Sequence, residues 1–347
     1  MKRISSLQLA VSFVGLFLGA GFVSGQELWQ FFACFGPAGL LGFLISVSLA
    51  LVIDYSLLQL SKKTGRTGIG ELILPKDPRR GGLVIDILQY LLLFGVLVIM
   101  VAGASALLHD LTGLPVPICG GIFILILFPA ALFELRSLVT AFSVLVPITG
   151  VTAVILGISI LFRQDFQLAP AVGSASVLMP NWWVSGITYA SYNLFGTIAI
   201  WVPFAALIHD NKTMRRGLGL GAVFLILLTF SILAALMAVP ESGSAELPTA
   251  ALAATLHPAL GMVYNLLMGL GMFSAALATI IALVNQTGLR APVILKKRRW
   301  FLAVFCVAAY LLSLAGFGNL VSIVYPIFGY ISIPFLFLLV RNWIKCK

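Results

Sequence analysis

The sequence predicts an all-α integral membrane protein of ten transmembrane helices, arranged as two inverted halves of five. Three features carry that expectation: an apolar composition, basic residues confined to alternate loops, and a polar first span in each half. Of 347 residues, 61% are hydrophobic and 9% charged, with a mean hydropathy of +1.12. Polar surface is too scarce to cover a soluble globule of that size.

Taking about 20 apolar residues as one crossing, the spans fall at residues 7–34, 38–60, 83–108, 117–134, 138–162, 182–208, 217–239, 259–286, 300–316 and 319–340. Lys2 and Arg3, the run from Lys62 to Arg80, Arg136, Lys212 to Arg216, Arg290 to Arg299 and Arg341 to Lys347 then lie on one side, and only Arg163 falls in an opposite loop. The positive-inside rule places both termini in the cytoplasm, with the protein in the cell membrane. Lys2-Arg3 before an apolar run superficially resembles a signal peptide, but no mature soluble domain follows, so an uncleaved first span is expected. The net charge of +10 sets topology and does not indicate a nucleic-acid partner, since no basic stretch is interleaved with aromatics. Cys34, Cys119, Cys306 and Cys346 are far apart and lack metal-ligand spacing, so free thiols are expected.

Dividing the chain in the loop between Asp165 and Pro180 gives two repeats, about residues 1–165 and 180–347, within one transmembrane domain. Five spans is an odd number, so the halves run in opposite directions through the bilayer. Interrupted apolar segments at matching positions of inverted halves point to a transporter's midplane site. In the loop from Pro240 to Pro258, the stretch Leu247–Ala253 is either a short helix capping an outer vestibule or an ordinary surface loop.

The first span reads Gly15-Leu16-Phe17-Leu18-Gly19-Ala20-Gly21-Phe22-Val23-Ser24-Gly25-Gln26-Glu27. An interior glycine costs a helix roughly 1 kcal/mol against alanine, and a carboxylate at the centre of a span costs about 2.5–3.5 kcal/mol on insertion scales. Irregular backbone survives at membrane depth where protein or a watery cavity encloses it. Two arrangements account for the glycines. In one, the helix unwinds near Gly19–Gly21 and restarts around Val23, offering freed amides to a substrate carboxylate. In the other, Gly15 with Gly19 and Gly21 with Gly25 form packing faces of an unbroken helix. Glu27 is a candidate for binding a cation, receiving a substrate ammonium or carrying a coupling proton, against the plainer role of a carboxyl at a vestibule rim. Gln26 is a weaker candidate. The sixth span sets Tyr189, Ser191, Tyr192, Asn193 and Thr197 around Gly196; these contact substrate or hydrogen-bond between helices. Ser274 and Thr279 in the eighth span are candidate ion ligands or bond to their own helix. His109, His209 and His257 lack ligand spacing, no cofactor or hydrolase motif occurs, and no catalytic constellation is present. Asp54 and Asp86 are expected to face water or to pair with Lys62 or Arg79.

The string Gly19–Glu27, with Phe31-Phe32 and Phe35-Gly36, resembles the first-helix signature of YkvI-like membrane proteins, a putative amino acid permease family similar to the amino acid, polyamine and organocation superfamily. That resemblance implies a LeuT-like fold in which the first and sixth helices are both discontinuous. It implies substrate contacts at Gly19, Ala20, Gly21, Tyr192, Asn193 and Gly196. It also implies a sodium site from carbonyls near Gly15 and Leu18 with hydroxyls of the eighth span, though Ser274 is followed by Ala275 where a second hydroxyl belongs. A proton is the other coupling ion, with Glu27 as its carrier. The expected function is secondary active transport of a small amino acid or related zwitterion by alternating access. A ligand sensor that binds without turnover and a carrier of organic cations are the rivals.

Overall fold

The computed structural model describes residues 4–18, 20–66, 69–133, 145–163, 172–173, 176–290 and 297–346, and every regular element among them is helical. Helix α1 (Ser6–Phe17) starts at a capping box: the Ser5 hydroxyl accepts from the Gln8 amide, and the Gln8 side chain accepts from the Ser5 amide. It stops at Leu18, whose backbone is non-helical. After one turn, α2 (Ala20–Val23), the chain passes through Gly25 at φ +79° and restarts as α3 (Gln26–Phe31). The first span is therefore interrupted, and its outer piece begins at Gln26, three residues later than expected. A left-handed residue is needed at Gly25, and glycine takes it at no steric cost.

The next elements are α4 (Pro37–Thr64), α5 (Ile69–Ile73), α6 (Pro78–Thr112), α7 (Val116–Leu132) and α8 (Leu145–Arg163), then α9 (Trp182–Phe204), α10 (Asn211–Ala238), α11 (Pro248–Leu256), α12 (Pro258–Arg290), α13 (Arg298–Ser313) and α14 (Phe317–Lys345). The helical segments fall on the ten expected spans, except that residues 19, 134 and 138–144 of those spans lie outside the described residues. Among the described residues, five helices are each long and apolar enough to cross a bilayer, and α1, α7 and residues 150–162 are shorter apolar helices. In α14, Pro326 has no amide to offer Ser322 four residues back. The Ser176 hydroxyl fills that gap, bonding the Ser322 carbonyl at 2.7 Å.

The sixth span corrects an expectation. Helix α9 runs unbroken from Trp182 to Phe204, capped by Asn181. Its polar side chains turn back on their own helix: Ser191 donates to the Ile187 carbonyl, Asn193 to that of Tyr189, and Thr197 to those of Asn193 and Leu194. Hydroxyls and amides satisfied in this way cause no unwinding, and Gly196 is not among the glycines with positive φ.

Two groups of helices pack together: α1, α4, α9 and α10 in one, and α6, α7, α12 and α13 in the other, with α14 touching both. The α4–α9 contact is the most extensive, and Gly42 and Gly186 let the two backbones meet there. The Ser46 hydroxyl donates there to the Gly42 and Gly186 carbonyls. At one end of the bundle Lys62 holds the His209 carbonyl, Lys63 that of Cys346, and Asn342 those of Leu72 and Ile73. This end carries the basic loops. The opposite end is tied by Val172 and Gly173 to the Cys34 carbonyl, and by Tyr330 to that of Leu178. Asp54 departs from expectation: it is 1% exposed within α4 because its face of the helix meets α9 instead of solvent.

Candidate functional site

The break in the first span is held from outside. The Val23 carbonyl, freed from the helical ladder, accepts from the Thr249 hydroxyl at 2.7 Å and the Tyr264 phenol at 2.6 Å. The Thr249 amide bonds the Ser24 carbonyl at 3.0 Å, and the Ser24 hydroxyl bonds that of Gly21 at 2.9 Å. From Pro248 onward the stretch 247–253 is thus part of a helix, α11, whose first turn docks into the break. A Cβ on Gly25 would meet the Thr249 side chain. Buried carbonyls need partners, and here two other helices supply them. Nearby, Glu246 accepts from the Gly318 amide at the start of α14, and Gln30 reaches the Gly318 carbonyl. The end of the bundle opposite the basic loops is closed over α3.

On the other side of α3 lies a cavity of about 530 Å³. Leu16 and Phe17 of α1, Glu27 of α3, Gln89 and Met100 of α6, and Tyr192, Asn193, Gly196 and Thr197 of α9 contribute to its wall, with Ala275 and Gln286 of α12 and Tyr325 of α14. Gln89 and Gln286 lie on the parts of α6 and α12 nearest the basic loops, so the cavity runs from Glu27 toward that end. Its volume is in the range of small-molecule sites, about 300–1,000 Å³.

Glu27 is 4% exposed. Its carboxyl accepts from the Tyr192 hydroxyl at 2.7 Å, and the Tyr325 phenol lies beside it. The two tyrosine rings stack at 4.4 Å with 4° between their planes, which sets both phenols beside one carboxyl. On its other flank Glu27 lies against Gly21, where any Cβ would collide with it. Glycine is required at position 21 for that approach.

Of the residues singled out from the sequence, Glu27, Tyr192, Asn193, Gly196 and Thr197 come together on the cavity wall. Gly21, Val23, Ser24, Gly25 and Gln26 are buried in the packing around the break. Tyr189 is enclosed by Phe17, Phe31, Phe32 and Phe43. Gly19 and the side chain of Ala20 lie outside the described residues. Gly15 is exposed, with open space where a Cβ would stand, so it forms no packing face, while Leu18 is buried against Gly150. Ser274 and Thr279 are buried on α12, which packs against α2. Sequence reasoning missed Gln89, Gln286, Tyr325, Thr249 and Tyr264 as individual residues. Gln89 and Gln286 carried a usable signal, being amides inside apolar spans.

No family model matches the chain. The uncharacterised membrane protein YkvI of Bacillus subtilis (strain 168) is 26% identical over 340 residues, covering 96% of this chain and 94% of that one. The chain is thus similar to YkvI over nearly the whole length of both. Among solved structures, the inward-facing conformation of Mhp1, a nucleobase-cation-symport-1 family transporter, superposes with a TM-score of 0.62 at 14% identity, covering 99% of this chain and 77% of Mhp1. MhsT in complex with L-phenylalanine superposes at 0.60, also at 14% identity, over 99% of this chain and 89% of MhsT. The chain shares the LeuT-type fold of these structures, as the resemblance carried by its first span implied, except that its sixth span is unbroken.

Proposed function

We propose that the protein is a secondary active transporter that moves a small amino compound, an amino acid or a related amine, by alternating access. It is a multi-pass protein of the cell membrane with both termini cytoplasmic, and the halves 1–165 and 180–347 act as inverted repeats. The observation that carries the proposal is a buried carboxyl, Glu27, set beside two phenols on the wall of a cavity beside an interrupted helix. Such a carboxyl is the natural acceptor of a ligand ammonium group, and a broken helix at a cavity is the element that secondary transporters rock. Similarity to Mhp1 and to MhsT, which was solved with an amino acid bound, supports the same reading. In this account the cavity faces the cytoplasm, and α11 and Glu246 seal the outer side. Coupling is to a proton carried on Glu27 or to sodium held by the carbonyls of Gly15 and Leu18 with Ser274 and Thr279. No enzymatic activity is proposed.

The test is thermal stabilisation of purified protein across amino acids, amines and organic cations, with sodium present or absent and at two pH values. A ligand that binds the folded state raises its apparent stability. Stabilisation by an amino compound that depends on Glu27 supports the proposal; a panel silent for every amino compound opposes it.

A further inference from the structure

We infer that Glu27 stands in for a ligand carboxylate, so that the cavity takes a lipophilic organic ammonium ion carrying no carboxylate of its own. This inference rests on the transporter reading of the same site and narrows its substrate class.

The first ground is where the carboxyl sits. Irregular backbone with unpaired amides is the natural receptor for an anion in a membrane protein, and the break in the first span is the irregular backbone nearest the cavity. Its glycine face is already covered, because Glu27 lies directly on Gly21. Val23 to Gln26, where a ligand carboxylate was expected to dock, are buried behind that contact. The chain has brought its own anion to the break.

The second ground is charge. Glu27 is the only carboxyl on the cavity wall, and no Lys, Arg or His lines it among the described residues. The remaining polar groups are neutral, and three of them are already engaged: Gln89 donates to the Phe195 carbonyl, Asn193 to that of Tyr189 and Thr197 to its own helix. A zwitterion would bury a second carboxylate beside Glu27 with no cationic side chain to meet it, a costly arrangement. A monocation leaves the site neutral.

The third ground is shape. Beyond Glu27 the wall is built from Leu16, Phe17, Leu92, Val96 and Met100, around about 530 Å³. That surface suits an aromatic or branched apolar body. The stacked Tyr192–Tyr325 pair fixes Glu27 at one end of the cavity, where the ammonium would seat.

Matched ligands differing by a carboxyl group alone test the inference: phenethylamine against phenylalanine, and 3-methylbutylamine against leucine. Calorimetric binding to wild-type protein should give saturable binding of each amine and at least about tenfold weaker binding of its amino acid. Glu27→Gln should remove the preference; should that variant fail to fold, the wild-type comparison decides alone. An amino acid that binds as tightly as its amine, or silence from both members of each pair, overturns the inference. Counterflow in proteoliposomes separates it from the transporter reading. Phenethylamine that binds without counterflow removes the transporter and keeps the ligand class. Phenylalanine that drives counterflow while phenethylamine does not keeps the transporter and removes the ligand class.

Discussion

Removing the two hydroxyls that hold the Val23 carbonyl should destabilise the protein by more than the sum of the single changes. Tyr264→Phe deletes one donor and Thr249→Val the other, and each substitution nearly preserves shape. Either alone leaves the carbonyl with one side-chain partner, so each should cost about 1 kcal/mol, the net value of an ordinary hydrogen bond. The double variant strands a carbonyl whose residue is 5% exposed. A buried acceptor left without a partner costs about 1–3 kcal/mol beyond the lost bonds. The expected total is therefore about 3–5 kcal/mol, with a coupling energy of about 1–3 kcal/mol. Chemical unfolding of wild type, both single variants and the double variant in one detergent measures it. Independent sites add to within about 0.3–0.5 kcal/mol. Additivity at that level would refute the claim that α11 and α12 jointly replace the helical ladder at the break, as would single variants that cost nothing.

Three further outcomes are expected. Glu27→Gln should weaken binding of an amino compound by roughly ten- to hundredfold, the worth of a charge-assisted hydrogen bond, while Tyr192→Phe should keep part of the affinity because the Tyr325 phenol still faces the carboxyl; titration calorimetry distinguishes the two. Gly186→Ala should cost about 1–3 kcal/mol in unfolding experiments, since the new methyl would strike the Gly42 carbonyl where α4 and α9 meet. Asp210 caps α10 by accepting from the Thr213 amide at 2.6 Å, and that bond holds its carboxyl below the ordinary range. Its stabilising effect should be fully present above the unfolded-state pKa of about 3.9 and fade as pH falls through the lower folded-state value. A pH series comparing wild type with Asp210→Asn should show that loss of stability in wild type alone.

The helical spans were legible because they depend on a signal that needs no tertiary information, the length of each apolar run. The interruption of the first span was legible for a similar reason, since four glycines, a hydroxyl and a carboxyl within thirteen residues conflict with an unbroken helix in lipid. The restart at Gln26 was not, because which glycine takes the left-handed turn is decided by Thr249 and Tyr264, more than 220 residues away. The sixth span misled by composition. Its hydroxyls and amides look like a break, but side chains that bond their own helix leave the same trace in the sequence. Glu27 and Tyr192 were recognised separately; that they meet at 2.7 Å depends on how α3 packs against α9. Tyr325 carried no signal, as a tyrosine in an apolar helix is usually packing or an interfacial anchor. Asp54 seemed to flank a cytoplasmic loop, and only the α4–α9 contact reveals that it is buried.

Counterflow in proteoliposomes is the most direct test of a carrier centred on Glu27. Vesicles holding wild-type protein and preloaded with unlabelled phenethylamine, or in a parallel set phenylalanine, should transiently concentrate the corresponding external label for the ligand that binds, and vesicles holding Glu27→Gln should not. Saturable binding to the purified protein without counterflow would contradict the account and make the protein a receptor, and counterflow undiminished in Glu27→Gln would contradict the place given to that carboxyl.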